Sequence, residues 1–323
     1  MTIFNELTPF SYDVLMLMTV LVIKYLVDHF VSTEPLRFFR FYCQQLSNKV
    51  NKPINSNQQQ TIAGLVAILV TLVPIAIILW LFADFVAVDY LWQALLLYIS
   101  LGCLNIAQTN KAIAQAIVAK QSYLAKQTLQ PWLLRNTAKL SSVGLSKAAI
   151  EMQLLRSVQQ VYVVAFIFIT FGALAALSYR LLLEMHYCWN NKLPKFKYFG
   201  FYSQLFVQLI QWLPCRLMAL LILMSSAGQN NALSWRLSRG HFFKLNNNFV
   251  LAVHAFSLAV KLGGVAMYQE DKLRKTAFND LAKQPEAPDI IKANMKVNFA
   301  IYTSLFLLLV FAICWQVIMV KSF

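Results

Sequence analysis

Ser203-Gln-Leu-Phe-Val-Gln-Leu-Ile-Gln-Trp-Leu-Pro-Cys-Arg-Leu-Met-Ala-Leu-Leu-Ile-Leu-Met224 is an apolar run of bilayer length with a cation and a proline in its middle. About 20 apolar residues cross a hydrocarbon core. A helix that does so should avoid both Arg216 and Pro214. A mid-bilayer cation costs at least ~3 kcal/mol, and Pro removes a backbone hydrogen bond. The helix therefore either lines a polar cavity or lies at the interface with Arg216 snorkelling. Further on, Val253-His-Ala-Phe-Ser-Leu-Ala-Val-Lys-Leu-Gly-Gly264 reads as a small-residue helix ending in a basic residue and a glycine pair.

The rest of the chain agrees with a membrane setting. Its 323 residues are 59% hydrophobic and 13% charged, against about 25% charged in a soluble domain. The class expected is all-α: a polytopic helical membrane protein with four to five spans, a re-entrant or interfacial helical portion and cytoplasmic helical subdomains. The alternation of an outer-membrane barrel is absent. No basic start precedes the first apolar run, so the beginning does not read as a cleaved signal peptide. Cys43, Cys103, Cys188, Cys215 and Cys314 are scattered and odd in number. They read as packing residues, not as a disulfide framework or zinc site. The net charge of +15 fits the positive-inside rule and anionic headgroups, and nucleic acid is not an expected partner.

In order, residues 1–107 hold spans at about 10–30, 61–82 and 90–107, with a basic loop over 31–60. Lys24 and Asp28 are four apart and share a helix face; they either pair or anchor the helix at the interface. Leu36-Arg-Phe-Phe-Arg-Phe-Tyr-Cys-Gln-Gln-Leu is amphipathic and basic. Pro74 is a kink candidate. The second and third spans form a tight hairpin. Residues 108–157 are a polar, basic, cytoplasmic helical segment. Residues 158–264 form the membrane-embedded core. Within it, the run from Val158 to Leu183 is one tilted span or two half-helices meeting at Phe171-Gly172. Glu184 to Lys197 reads as interfacial. A charged cytoplasmic segment covers 265–297, and 298–323 is the last span. Lys and Arg number four in 32–60, seven in 108–157 and ten in 225–297. That places the large loops in the cytoplasm and both termini on the periplasmic side of a bacterial inner membrane.

Trp212-Leu-Pro-Cys-Arg-Leu-Met-Ala-Leu-Leu221 resembles the Trp-Ile-Pro-Ala-Arg-Leu-Thr helix of the CobD/CbiB membrane proteins of cobalamin biosynthesis. Val253 to Gly264 resembles that family's Ala-Met-Ala-Gly-Ala-Leu-Gly-Val-Arg-Leu-Gly-Gly, with Lys261 in place of Arg. Leu134-Arg135-Asn136-Thr137 resembles its Arg-Asp-Thr. The matches fall in the same order over about Leu91 to Gly264. The resemblance implies an adenosylcobinamide-phosphate synthase, which joins a corrinoid acid and an aminopropanol group through an amide. Departures accompany it. Ser157-Val-Gln-Gln-Val161 stands where the family has Glu-Asn-Thr-Ser-Asp. Leu183-Glu-Met-His-Tyr-Cys-Trp-Asn-Asn-Lys192 keeps only the Lys of Asn-Thr-Leu-Asp-Ser-Met-Val-Gly-Tyr-Lys. The AmpE-type regulators of β-lactamase induction resemble this pattern more closely, with a Trp-Val-Pro-Val-Arg-Leu helix and an acid-poor fourth run. The leading expectation is thus a degenerate, AmpE-like role in envelope signalling; the alternative is the synthase, and a transporter is third.

The candidate ligand residues are Arg135, Thr137, Lys192, Arg216, Asn246, Lys261, Gly263 and Gly264, for an anionic small molecule on the cytoplasmic side. Arg216 contacts a phosphate or carboxylate, or else meets a helix end or an acid such as Glu151 or Asp28. Lys261 to Gly264 either present backbone N–H groups to an anion or cap a helix. His29, His186, His241 and His254 lack metal spacing and read as interior or interfacial residues. No metal site is expected, no cofactor is indicated, and no catalytic residue stands out. Membrane lipids are the expected surroundings, and a homo-oligomer is compatible with the pattern.

Overall fold

The computed structural model describes residues 8–30, 35–134, 137–225, 231–268 and 271–321. The first helices are α1 (Pro9–Phe30), α2 (Arg37–Val50), α3 (Asn57–Ala83) and α4 (Asp89–Ser100). Then come α5 (Ile106–Val118), α6 (Ser122–Leu129), α7 (Ser142–Ser157) and α8 (Val163–Cys188). They are followed by α9 (Phe201–Met224), α10 (Asn231–Ser238) and α11 (Asn248–Leu258). A hairpin of β1 (Leu262–Tyr268) and β2 (Asp271–Phe278) precedes α12 (Ala287–Lys321). Among the described residues, five helical runs are long and apolar enough to cross a membrane: α1, α3, Ser142–Cys188, α9 and α12. The protein is an all-α polytopic membrane protein with one small hairpin.

The chain divides into two compact units. The first comprises Met1–Leu104, Gln160–Val207 and Tyr302–Phe323. Here α8 is the axis, packed by α1, α2, α3 and α4. α3 starts at a capping box: Ser56 Oγ accepts the Gln59 N–H, and Gln59 Oε1 accepts the Ser56 N–H. Pro74 lies inside α3, which continues past it. Val66, Val70, Val73 and Ile77 of α3 are exposed, a surface suited to lipid. Gly64 lets α3 reach the backbone of Phe199, whose carbonyl oxygen stands 2.0 Å from where a Cβ would be. α2 is fastened to the end of α8. The buried Trp189 donates Nε1–H to the Cys43 carbonyl at 3.0 Å, and Asn51 Nδ2 donates to the Lys195 carbonyl at 2.8 Å. Phe38 and Phe41 on α2 remain exposed, as on an interfacial helix.

One sequence expectation changes in this unit, and one open alternative is decided. The third span was expected over 90–107, but α4 stops at Ser100 with Leu101 extended (φ −69, ψ 136). Tertiary bonds end it: Gly102 N–H donates to the Gln160 carbonyl at 3.0 Å, and Leu104 N–H to Asp28 Oδ2 at 2.9 Å. At 12 residues, α4 is about 18 Å long, short of a bilayer. The alternative left open for the run from Val158 to Leu183 is decided by a break at Gly172 (φ 84, ψ 178) inside α8, where the two half-helices were expected to meet. Essentially only glycine adopts that conformation, so the long apolar run is two helical pieces. A π-helical turn, Val158–Tyr162, precedes them.

The second unit comprises Asn105–Gln159 and Gln208–Ile301. Leu145, Ala148, Ala149, Ile150 and Leu154 of α7 are buried at its centre. Asn110 Nδ2 reaches the Ala149 carbonyl, Gln153 Oε1 and Asn294 Oδ1, each at 3.2 Å. These bonds link α5, α7 and the start of α12. α12 begins well before the expected last span, because Asp289 Oδ2 accepts the Glu286 N–H at 3.0 Å and caps it. The glycine pair does not close a helix. α11 already ends at Leu258, with Ala259 left-handed at φ 53. Gly263 and Gly264, at φ 71 and 91, lie in β1. β1 pairs antiparallel with β2, and an irregularity falls between Gly263 and Val265.

Candidate functional site

Arg216 stands in the part of α9 that belongs to the second unit and is 3% exposed. Its Nε and Nη2 both donate to the Phe242 carbonyl, at 2.9 and 2.8 Å. Nη2 also donates to the Lys244 carbonyl at 2.6 Å, and Nη1 to the Trp212 carbonyl at 3.0 Å. The guanidinium lies over the Trp212 ring at 5.0 Å and near the Phe249 ring at 6.0 Å. Trp212, Trp235 and Phe249 in turn meet Phe242 edge-on. Four of the five guanidinium N–H donors thus go to main-chain oxygens. The arrangement solves the cost of a cation in apolar helix by pinning the segment that follows Arg239–His241. Glu151 and Asp28 are not its partners in the described contacts.

Asn246 belongs to the same turn. Its N–H donates to the Lys244 carbonyl at 2.8 Å, and its Oδ1 accepts the Asn248 N–H at 3.0 Å. Thr137 is buried, with hydroxyl and N–H both on Gln130 Oε1, at 2.6 and 2.9 Å. Arg135 lies outside the described residues. Lys261 Nζ meets Asp280 Oδ1 at 2.7 Å, and its N–H donates to the Lys283 carbonyl. Gly263 N–H donates to Glu151 Oε1 at 2.9 Å. The glycine pair therefore does present an N–H to an anion, and that anion is the protein's own carboxylate. Gly264 has open space on its Cβ side. Lys192 is exposed and belongs to the first unit, at the end of α8.

The sequence reading missed a second guanidinium. In the first unit Arg180 Nη2 meets Glu184 Oε1 at 2.8 Å, and Arg40 Nε meets Glu184 Oε2 at 3.1 Å. Glu184, expected in an interfacial stretch, is buried inside α8. Lys24 and Asp28 do pair, at 3.6 Å, and both are buried. The available signal was the i, i+4 spacing of Arg180 and Glu184 within an apolar run. The two amides of Ser157–Val161, the stretch standing in place of the family's acid-bearing motif, are also buried. Gln159 Nε2 donates to Gln211 Oε1 at 3.2 Å in the second unit; Gln160 Nε2 donates to the Tyr187 hydroxyl at 3.4 Å in the first.

His254 on α11 is fully buried, and neither ring nitrogen has a partner among the described residues. Burial pushes its pKa down to about 3, helped by the Lys296 charge. His241 is lowered by burial and then by Lys244. No cluster of three His, Cys, Asp or Glu able to hold a metal occurs among the described residues. A cavity of about 170 Å³ between α1 and the end of α12 is lined by Ser11, Val14, Leu309, Ala312 and Ile313. None of the sequence-picked residues lines it.

A family model described as CobD/Cbib protein matches residues 17–297. The cobalamin biosynthesis protein CobD of Chromobacterium violaceum is 28% identical over 205 residues, 64% of this chain and 66% of that protein. The protein of that name from Stutzerimonas stutzeri is 26% identical over 205 residues, covering 64% and 68%. The probable cobalamin biosynthesis protein CobD of Methanococcus aeolicus is 25% identical over 228 residues, covering 68% and 72%. The match thus spans just under two thirds of the first relative's length. No solved structure matches.

Proposed function

The chain belongs to the CobD/Cbib family, and from that premise we propose that it acts in cobalamin biosynthesis as a membrane enzyme joining a corrinoid carboxylic acid to an aminopropanol group. The observation that carries this reading is the reach of the family match. It runs from α1 to the charged segment ahead of the last span, not over one motif. The relatives reported above carry cobalamin-biosynthesis names, and the envelope-signalling reading finds no support among them.

Making an amide from a free carboxylate and an amine expels water, so a nucleoside triphosphate must activate the acid as a third reactant. The carboxylic acid and the nucleoside triphosphate are both anionic, which suits the basic chain. Of the residues picked from sequence, Lys192 is exposed and Gly264 has open space beside it. Each is proposed to contact an anion within its own unit, Lys192 in the first and Gly264 in the second, with Arg135 added on the resemblance. Arg216, Asn246, Thr137, Lys261 and Gly263 are proposed to hold the surrounding backbone in shape. The chain is placed in the bacterial inner membrane, with the basic loops cytoplasmic and both termini periplasmic. That topology needs an even number of crossings. The break at Gly172 offers a point where one of the five candidate spans turns back.

The test is direct. Purified chain in lipid nanodiscs is incubated with the adenosylated corrinoid acid, aminopropanol phosphate and ATP, and products are read by mass spectrometry. The amide product, dependent on all three reactants, is expected. Its absence, while an active relative prepared alongside makes it, overturns the reading.

A further inference from the structure

Three cations meet two carboxylates in the first unit. Lys24 Nζ is 3.6 Å from Asp28 Oδ1, and the other Asp28 oxygen accepts the Leu104 N–H. Lys24 also lies 4.4 Å from the Tyr98 ring centre and within electrostatic range of Arg180. The two Glu184 oxygens face two arginines, Arg180 and Arg40. Arg180 is the member with unmet donors. It is 6% exposed, and its Nε and Nη1 are buried without an acceptor among the described residues. Glu184 engages only Nη2. Arg216 shows the contrast: in the same kind of helix, its donors are met by carbonyls. A buried guanidinium with unmet donors is unfavourable by itself and becomes favourable when an anion supplies the acceptors.

We propose that Arg180, with Lys24 near it, supplies the donors of a subsite for a compact oxyanion, a phosphate or carboxylate group. The anion accepts from Arg180 Nε and Nη1. Arg180 sits two turns from the end of α8, about 12 Å along the helix, so the group is within reach of the end next to Lys192. The subsite holds whatever reaction the chain performs. Its anion belongs either to a lipid headgroup or to a soluble molecule, and both offer the same chemistry.

The test uses the full chain, delipidated in detergent. Thermal unfolding is followed with inorganic phosphate and with acetate against chloride at matched ionic strength; native mass spectrometry counts retained phospholipid before delipidation. For the wild type, a rise in unfolding temperature with phosphate or acetate identifies a soluble source. Retained phospholipid that Arg180→Lys loses identifies a headgroup. Arg180→Lys keeps the charge and the Glu184 pairing but lacks the planar fork, and binding weakens about tenfold with one charge-assisted bond lost. Glu184→Gln removes the competing carboxylate, and its anion affinity rises. A wild type that neither responds to the anions nor retains lipid overturns the proposal. So does an Arg180→Lys protein that behaves as wild type. Should Arg180→Lys fail to fold, Glu184→Gln decides: unchanged or weaker anion binding sinks the idea. Amide synthesis is not the readout, so failure here leaves the proposed reaction untouched.

Discussion

Arg216 and Arg180 are the same side chain in the same solvent problem, solved differently. Arg216 is met by the carbonyls of Trp212, Phe242 and Lys244, so its first duty is to hold the turn through Asn246. Arg216→Ala leaves buried carbonyls unmet. We expect it to lower stability by about 2–4 kcal/mol, read by thermal unfolding in detergent. Arg216→Lys falls between, because an ammonium cannot fork. Lost amide synthesis at unchanged stability in Arg216→Ala would show instead that the guanidinium touches substrate. His254 makes a pH prediction. Its folded pKa is lowered from 6.5 to about 3, so below 6.5 the unfolded chain binds a proton that the folded chain refuses. Stability is full above 6.5 and falls as pH drops from there toward 3. His254→Phe should flatten that part of the unfolding-temperature profile; an unaltered slope would assign the acid sensitivity to other groups.

Close backbone approaches in the first unit fall at glycines, where no side chain stands in the way. Gly64 of α3 faces the Phe199 carbonyl and Gly200 faces the Trp189 carbonyl, where a Cβ would stand 2.0 and 1.9 Å from oxygen. The atoms in the way are main chain, which cannot swing aside. Gly64→Ala and Gly200→Ala should each cost at least about 2 kcal/mol, visible as lower unfolding temperature and poorer yield. Gly172 is a different case. A Cβ there meets nothing within 4 Å, so Gly172→Ala is opposed only by its backbone conformation, at about 1–3 kcal/mol. If that substitution instead stabilises the protein, the break in α8 is not a feature of the native chain. Element type followed local pattern closely, since α1 and α3 cover the expected apolar runs. Element ends did not. α4 is cut by bonds from Gly102 and Leu104 to Gln160 and Asp28, partners far away in sequence.

At the scale of the whole molecule, the basic loops set the orientation. In inside-out membrane vesicles, trypsin should cut within residues 108–141 and 269–285, and in right-side-out vesicles neither segment should be cut. The reverse pattern would invert the proposed topology and put the Lys192 side on the periplasmic face. The sequence by itself determined that this is a helical membrane protein. Bilayer length and apolar content are sums over neighbouring residues, and no distant contact can cancel them. It also carried the family, through Trp212 to Leu221 and Val253 to Gly264, because those motifs are contiguous. It could not say what each cation does. Arg216, Arg180, Lys24 and Lys261 look alike in an apolar or mixed run. Each role depends on which acceptor the fold brings within 3–4 Å: carbonyls for Arg216, Glu184 for Arg180, Asp28 for Lys24, Asp280 for Lys261. Only the tertiary structure decided that, since the energy of a buried charge lies in its partners and those are set by packing across the chain.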